Sequence, residues 1–172
     1  MRLHKLKIFI WLLLFLLIPE VVPSQQMDIP ARIQVATLSK IFKYVPSLRA
    51  KNPVKLLLVY DKKTKSDKEN FVTAFENASV EVKAVLPDEI ENIISGYDVV
   101  YFMPGLQDHA ELCKKHKKLS NAGVAKYAQN GEVSIALGLE NDKPRLFINM
   151  SSLKNEGIHL SANLLKIAKV FP

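Results

Sequence analysis

The chain has 172 residues, of which 48% are hydrophobic and 24% charged, with a formal net charge of +7 and a single cysteine. This length fits one domain with enough chain to bury a core. One cysteine excludes any disulfide within the chain, and the positive charge lacks the interleaved aromatic residues that a nucleic-acid stacking surface requires.

Residues 1–24 read as a cleavable secretory signal peptide. Met1-Arg2-Leu3-His4-Lys5-Leu6-Lys7 is a short basic start, and Ile8 to Ile18 is unbroken apolar sequence that ends at Pro19-Glu20. A membrane-spanning helix needs about 20 apolar residues, so this run suits a signal core. Val22-Pro23-Ser24 places cleavage after Ser24. The other reading is an uncleaved anchor, against which Glu20 interrupts the apolar stretch. The leader carries Arg2, Lys5 and Lys7 against Glu20, which leaves residues 25–172 as one domain of about +5.

Asp28 and Pro30 mark a helix start, and Ala31, Val35, Leu38, Phe42 and Val45 line one face of it up to Pro46. Val54 to Tyr60 reads as a buried strand, followed by a polar loop at Asp61. Ser66 to Glu69 fits a capping box before a helix with Phe71, Ala74 and Phe75 inside. Ser79 to Leu86 alternates as a strand does. Pro87-Asp88 opens a short helix carrying Ile90, Ile93 and Ile94, which Gly96 stops. Asp98 to Met103 is a third apolar strand, with Pro104-Gly105 as its turn. A polar helix from Gln107 to about Leu119 and a strand at Val124 to Ala128 follow.

Val133 to Leu139 and Arg145 to Met150 form a hairpin around Asn141-Asp142-Lys143-Pro144. Ser151 stands as a cap for a short helix stopped by Gly157. Ser161 does the same for a last helix burying Leu164, Leu165, Ile167 and Ala168. The alternation of helix and strand predicts an α/β fold: a single domain with a mostly parallel sheet, helices on both faces and a C-terminal antiparallel β-hairpin.

Signatures of chemistry are sparse. No glycine-rich nucleotide loop, nucleophile elbow or paired-histidine zinc motif occurs. His109, Cys113 and His116 share a helix face at i, i+4 and i+7, a spacing open to metal ligation but equally to surface histidines around a packed thiol. If exposed, Cys113 is a redox candidate, because Lys114, Lys115 and His116 would lower its pKa. The run Lys114-Lys115-His116-Lys117-Lys118 reads as a solvated face, or as a contact for anionic headgroups or an acidic protein. Asn77-Ala78-Ser79 and Asn149-Met150-Ser151 match the glycosylation tripeptide, although Asn149 also suits a turn or cap.

The last third carries a resemblance. Asn130-Gly131-Glu132-Val133-Ser134-Ile135-Ala136-Leu137, then Arg145-Leu146-Phe147-Ile148-Asn149, then Gly157-Ile158-His159-Leu160-Ser161 and the helix to Ala168 resemble the closing pattern of the YfiR/HmsC-like periplasmic family. The resemblance implies an α/β domain in the periplasm. It also implies a non-catalytic regulator, with no cofactor and no metal, that holds the periplasmic sensor domain of an inner-membrane diguanylate cyclase inactive and so keeps biofilm matrix low. Phe147, Asn149, Gly157, Ile158, Ser161 and Leu165 carry the pattern or suggest partner contact. Each also has a structural use in the core, at a helix stop or at a cap. The aromatic-Trp-Pro that ends the first helix in the family stands here as Tyr44-Val45-Pro46, and the single cysteine rules out an intramolecular disulfide switch.

Three functions are therefore in play. The first is repression or tuning of an inner-membrane signalling protein, a cyclase or a sensor kinase. The second is a periplasmic small-ligand or envelope-structural module, with Asp61, Pro104 and Gly105 lining a site at the strand ends. The weakest is an enzyme using Asp61 or His159. A homodimer is a further expectation, and an apolar patch of Ile158, Leu160 and Phe171 would be its mark.

Overall fold

The computed structural model describes residues 27–172; the leader and its cleavage position lie outside them. Helix α1 (Ala31–Phe42) buries Val35, Leu38 and Phe42, as the spacing predicts, together with Gln34 and Ile41, while Ala31 is half-buried. Pro46 both ends that segment and opens a second helix, α2 (Pro46–Arg49). Its fixed φ and missing N–H suit a first helical position, so one proline serves both purposes.

Strand β1 (Val54–Val59) leads into α3 (Lys65–Asn77), which buries Phe71 and Phe75. The expected Ser66–Glu69 capping box is not used. The helix begins two residues earlier than that box would set, at Lys65, and Thr64 at its cap position turns its hydroxyl back to Asp61. Next come β2 (Val80–Val85), a tight turn at Pro87–Glu89, α4 (Ile90–Ile93) and the fully buried β3 (Val99–Phe102).

The region after β3 departs from expectation. In place of one polar helix there is a 3₁₀ turn, Gln107–Ala110, and then α5 (Glu111–His116), ended by Lys117 in the left-handed region at φ 55°. The fourth strand is β4 (Leu119–Ala122), and the segment expected as a strand at Val124 to Ala128 instead forms α6 (Ala125–Gln129). Ser120 and Asn121 give β4 a polar sequence, yet every residue of the strand is buried.

The hairpin of β5 (Ile135–Glu140) and β6 (Lys143–Asn149) closes through Asn141 and Asp142, at φ 52° and 59°. Both lie in the left-handed region that a two-residue hairpin turn needs and that Asn and Asp tolerate. Asn149, rather than Ser151, caps α7 (Met150–Glu156): its side-chain oxygen accepts from the Ser152 N–H at 2.9 Å. Gly157 ends α7 at φ 69°. Helix α8 (Ala162–Ile167) is shorter than expected. The chain then turns extended as β7 (Lys169–Phe171), and Ile167 is 64% exposed instead of buried.

The seven strands form one sheet in the order β2-β1-β3-β4-β5-β6-β7. All pairs are parallel except β5–β6. Right-handed crossovers place α3 on one face and the connections from β2 to β4 on the other. Accordingly α1 packs on α3, and α5 on α7. The first face holds Tyr101, whose ring lies 5.0 Å from Phe71 and 6.0 Å from Phe75. Its hydroxyl donates to the buried Gln34 Oε1 at 2.7 Å. Gly123 lets these groups meet, since a Cβ there would stand 2.5 Å from Gln34 Oε1.

Candidate functional site

Two segments far apart in sequence meet on the surface. The backbone N–H of Ser161 donates to the Tyr44 carbonyl at 3.1 Å, joining the end of α1 to the start of α8. Around this bond lies a cleft of about 720 Å³, lined by Lys40, Lys43, Tyr44, Arg49, Ser161 and their neighbours. The local reasons are plain. Phe42, Val45 and Leu48 are buried, so Lys43, Tyr44 and Arg49 face outward between them. Leu164 is buried, which draws the start of α8 down against the Tyr44 turn.

The cleft carries three cations and no acidic residue among its lining. Tyr44 is 46% exposed, a large aromatic surface at the rim. The Ser161 hydroxyl oxygen is shielded from solvent and has no hydrogen-bond partner. An unpaired shielded hydroxyl is unfavourable unless something completes it.

The other residues singled out in the sequence have structural surroundings. Phe147 is buried and stacks on Phe171, ring centroids 6.4 Å apart. Asn149 caps α7, and Gly157 ends it. Ile158 and Leu165 are half-buried against the core, as are Leu160 and Phe171, so the expected apolar patch is largely covered. Of the six pattern residues, only Ser161 lines the cleft. Lys40, Lys43 and Arg49 were not singled out, because cations near a helix end read as ordinary complements to its dipole.

Cys113 is fully buried, and burial pushes its thiol well above its ordinary pKa, with Glu156 adding to this and Lys114 and Lys118 only partly opposing it. That is opposite to the lowering expected for an exposed redox thiol. His109 sits in the 3₁₀ turn, so the three residues do not share one α-helix. Among the described residues no group of three or more His, Cys, Asp or Glu side chains is placed to hold a metal ion. The basic run is partnered: Lys114 pairs with Glu111, Lys115 with Glu91, while Lys117 and Lys118 donate to the Asn155 and Ser95 carbonyls.

The sheet does switch direction at β1 and β3, where open α/β sheets bind ligands. Here, though, the loop groups are engaged. The Asp61 carboxylate accepts from Lys63 N, Thr64 N and Thr64 Oγ1 at 2.9–3.0 Å. Partial burial acts to raise its pKa, but these bonds prevail and hold it below the usual range. The Gly105 N–H donates to the Tyr127 hydroxyl at 2.8 Å. His159 is exposed.

One buried acid stands apart. Glu156 of α7 is 1% exposed and accepts from Ser120 N at 3.2 Å, from the Ser120 hydroxyl, and from the Ser134 hydroxyl at 2.5 Å. This explains how a strand as polar as β4 is buried. Desolvation lifts the carboxyl to about 7, against the opposing pull of those hydrogen bonds.

A family model described as YfiR/HmsC-like matches residues 31–169. No curated protein matches with significance. Among solved structures, a conserved domain protein from Vibrio cholerae is 13% identical with a TM-score of 0.64, covering 82% of this chain and 60% of that one. A domain from Streptococcus pneumonia, described as the ABC domain in complex with L-Trp, is 16% identical (TM-score 0.57; 83% of this chain, 60% of that one). An open, ligand-free substrate-binding protein with adhesive properties from Clostridium difficile is 10% identical (TM-score 0.58; 80% and 58%). These likenesses establish the fold, and this chain spans about 60% of the length of those structures.

Proposed function

Because the chain belongs to the YfiR/HmsC-like family, we propose that it is an exported, non-catalytic regulator that represses or tunes a membrane-bound signalling protein such as a diguanylate cyclase. The contact surface in this reading is the basic cleft. One observation carries it: the Tyr44–Pro46 helix ending and the Gly157–Ser161 motif, both singled out by resemblance, are joined by the Ser161-to-Tyr44 hydrogen bond and share one cleft. A purely structural motif would have no need to leave three cations and an aromatic ring facing water around that bond.

The reading places the domain in the periplasm, delivered by the leader at residues 1–24. No helix among the described residues is long and apolar enough to cross a membrane.

The test is in-cell crosslinking from Tyr44, replaced by a photoreactive residue, followed by identification of the adduct. Matrix staining of a deletion strain runs alongside it. The expected result is an adduct with the periplasmic domain of an inner-membrane cyclase or sensor kinase, and increased matrix on deletion. Absence of any membrane signalling protein from the adducts, with unchanged matrix, overturns the proposal.

A further inference from the structure

We propose that the cleft receives an acidic segment of the partner protein, whose carboxylates pair with Lys40, Lys43 and Arg49 while an adjacent apolar or aromatic side chain covers Tyr44. This rests on the docking reading above and adds to it the chemistry of the docked segment.

Seven basic side chains elsewhere are in ion pairs: Lys51 with Asp98, Lys55 with Glu81, Lys68 with Glu69, Lys114 with Glu111, Lys115 with Glu91, and both Arg145 and Lys169 with Glu140. Even the dense run at Lys114–Lys118 is mostly satisfied by carboxylates and carbonyls. Lys40, Lys43 and Arg49 make no such contact among the described residues, and neither do scattered surface cations such as Lys62, Lys65 and Lys83, but these three line one concavity with no acid in its lining. Gathering like charges without a counter-charge is unfavourable, and the field it creates in a cleft concentrates anions.

The lining also favours a polypeptide over a bare ion. Arg49 supplies a planar fork suited to a carboxylate, whereas Lys40 and Lys43 are point charges a helical turn apart. Tyr44 adds an amphipathic face of the kind that anchors protein interfaces. A volume of about 720 Å³ exceeds what one small anion fills and suits a few residues of extended chain.

The experiment uses capped hexaglutamate titrated into the isotope-labelled mature protein, read by amide chemical shifts. Shifts should cluster at residues 40–49 and 161–163 and weaken as salt rises from about 50 mM to about 300 mM. Lys40→Gln/Lys43→Gln/Arg49→Gln should lose about tenfold or more in affinity. The control Lys62→Gln/Lys65→Gln/Lys83→Gln removes the same charge from exposed positions elsewhere and should lose less than about twofold. Equal loss in both variants, or shifts centred on residues 114–118, overturns the proposal. So does cleft-dependent binding to phosphatidylglycerol vesicles without peptide binding.

The two readings separate cleanly. A membrane signalling protein crosslinked equally well by wild type and by the cleft triple variant overturns the acidic segment and leaves docking intact. Hexaglutamate binding in the cleft without any membrane signalling adduct supports the cleft chemistry and overturns the regulator.

Discussion

Replacing Glu156 by glutamine should change how stability depends on pH. The folded carboxyl titrates near 7, while its ordinary value is 4.5. The folded state therefore holds this proton more tightly than the unfolded chain does. The stability it contributes is fully present below about pH 4.5, falls as pH rises through about 7, and is flat above. The difference corresponds to on the order of 3 kcal/mol in all, of which about 2.5 kcal/mol falls between about pH 5 and about pH 8. The groups facing Glu156 are Ser120 of β4, Ser134 before β5, and Cys113 and Lys114 of α5, with no cation in direct contact.

Urea unfolding at several pH values across that range, on wild type and Glu156→Gln, isolates the effect because every other titrating group is common to both. Wild type should lose about 2.5 kcal/mol relative to the variant as pH rises. The variant itself should start lower by about 1–3 kcal/mol, since an amide cannot accept all three donors at once. A Glu156 carboxyl ¹³C resonance should titrate near 7. Parallel stability profiles for the two proteins, or a carboxyl that titrates near 4.5, would refute the reasoning.

Cys113 should resist thiol reagents in the folded protein and react fully in denaturant; rapid native labelling contradicts its burial. Asn149→Ala should cost about 1 kcal/mol in urea unfolding through the lost Ser152 cap, with Asn149→Asp retaining most of it. Gly123→Ala should destabilise by about 1–3 kcal/mol, because its methyl group would meet the Gln34 amide and the Tyr101 hydroxyl; an unchanged midpoint would mean that these side chains yield freely.

How much of this was legible depends on whether a residue's partner was local. The strand at Val54–Val59 and that at Val99–Phe102 announce themselves, because strands covered on both faces must be apolar throughout. The hairpin turn at Asn141-Asp142 and the stop at Gly157 are equally local, set by backbone conformations few residues accept. The strand Leu119–Ala122 is not legible this way. Its Ser120 is buried only because Glu156, 36 residues later, accepts its hydrogen bond. Likewise Val124–Ala128 looks β-like by composition, and tertiary packing turns most of it into a helix. The other five strands of the sheet's main body followed from alternation, whereas the three-residue β7 is too short to leave a pattern. For the cleft, the motif pointed to Ser161 but not to Lys40, Lys43 or Arg49, since nothing between positions 49 and 161 hints that they meet.

That meeting has a consequence in time. A polypeptide is made from its amino end, so the cations at 40–49 exist long before their opposite wall at 161–163. The cleft is complete only when the segment through Asn163 has been made and the Ser161 N–H has met the Tyr44 carbonyl. A half-made molecule displays one wall without the other. The two walls are therefore made at well-separated times, and folding of the domain is the condition for a complete cleft.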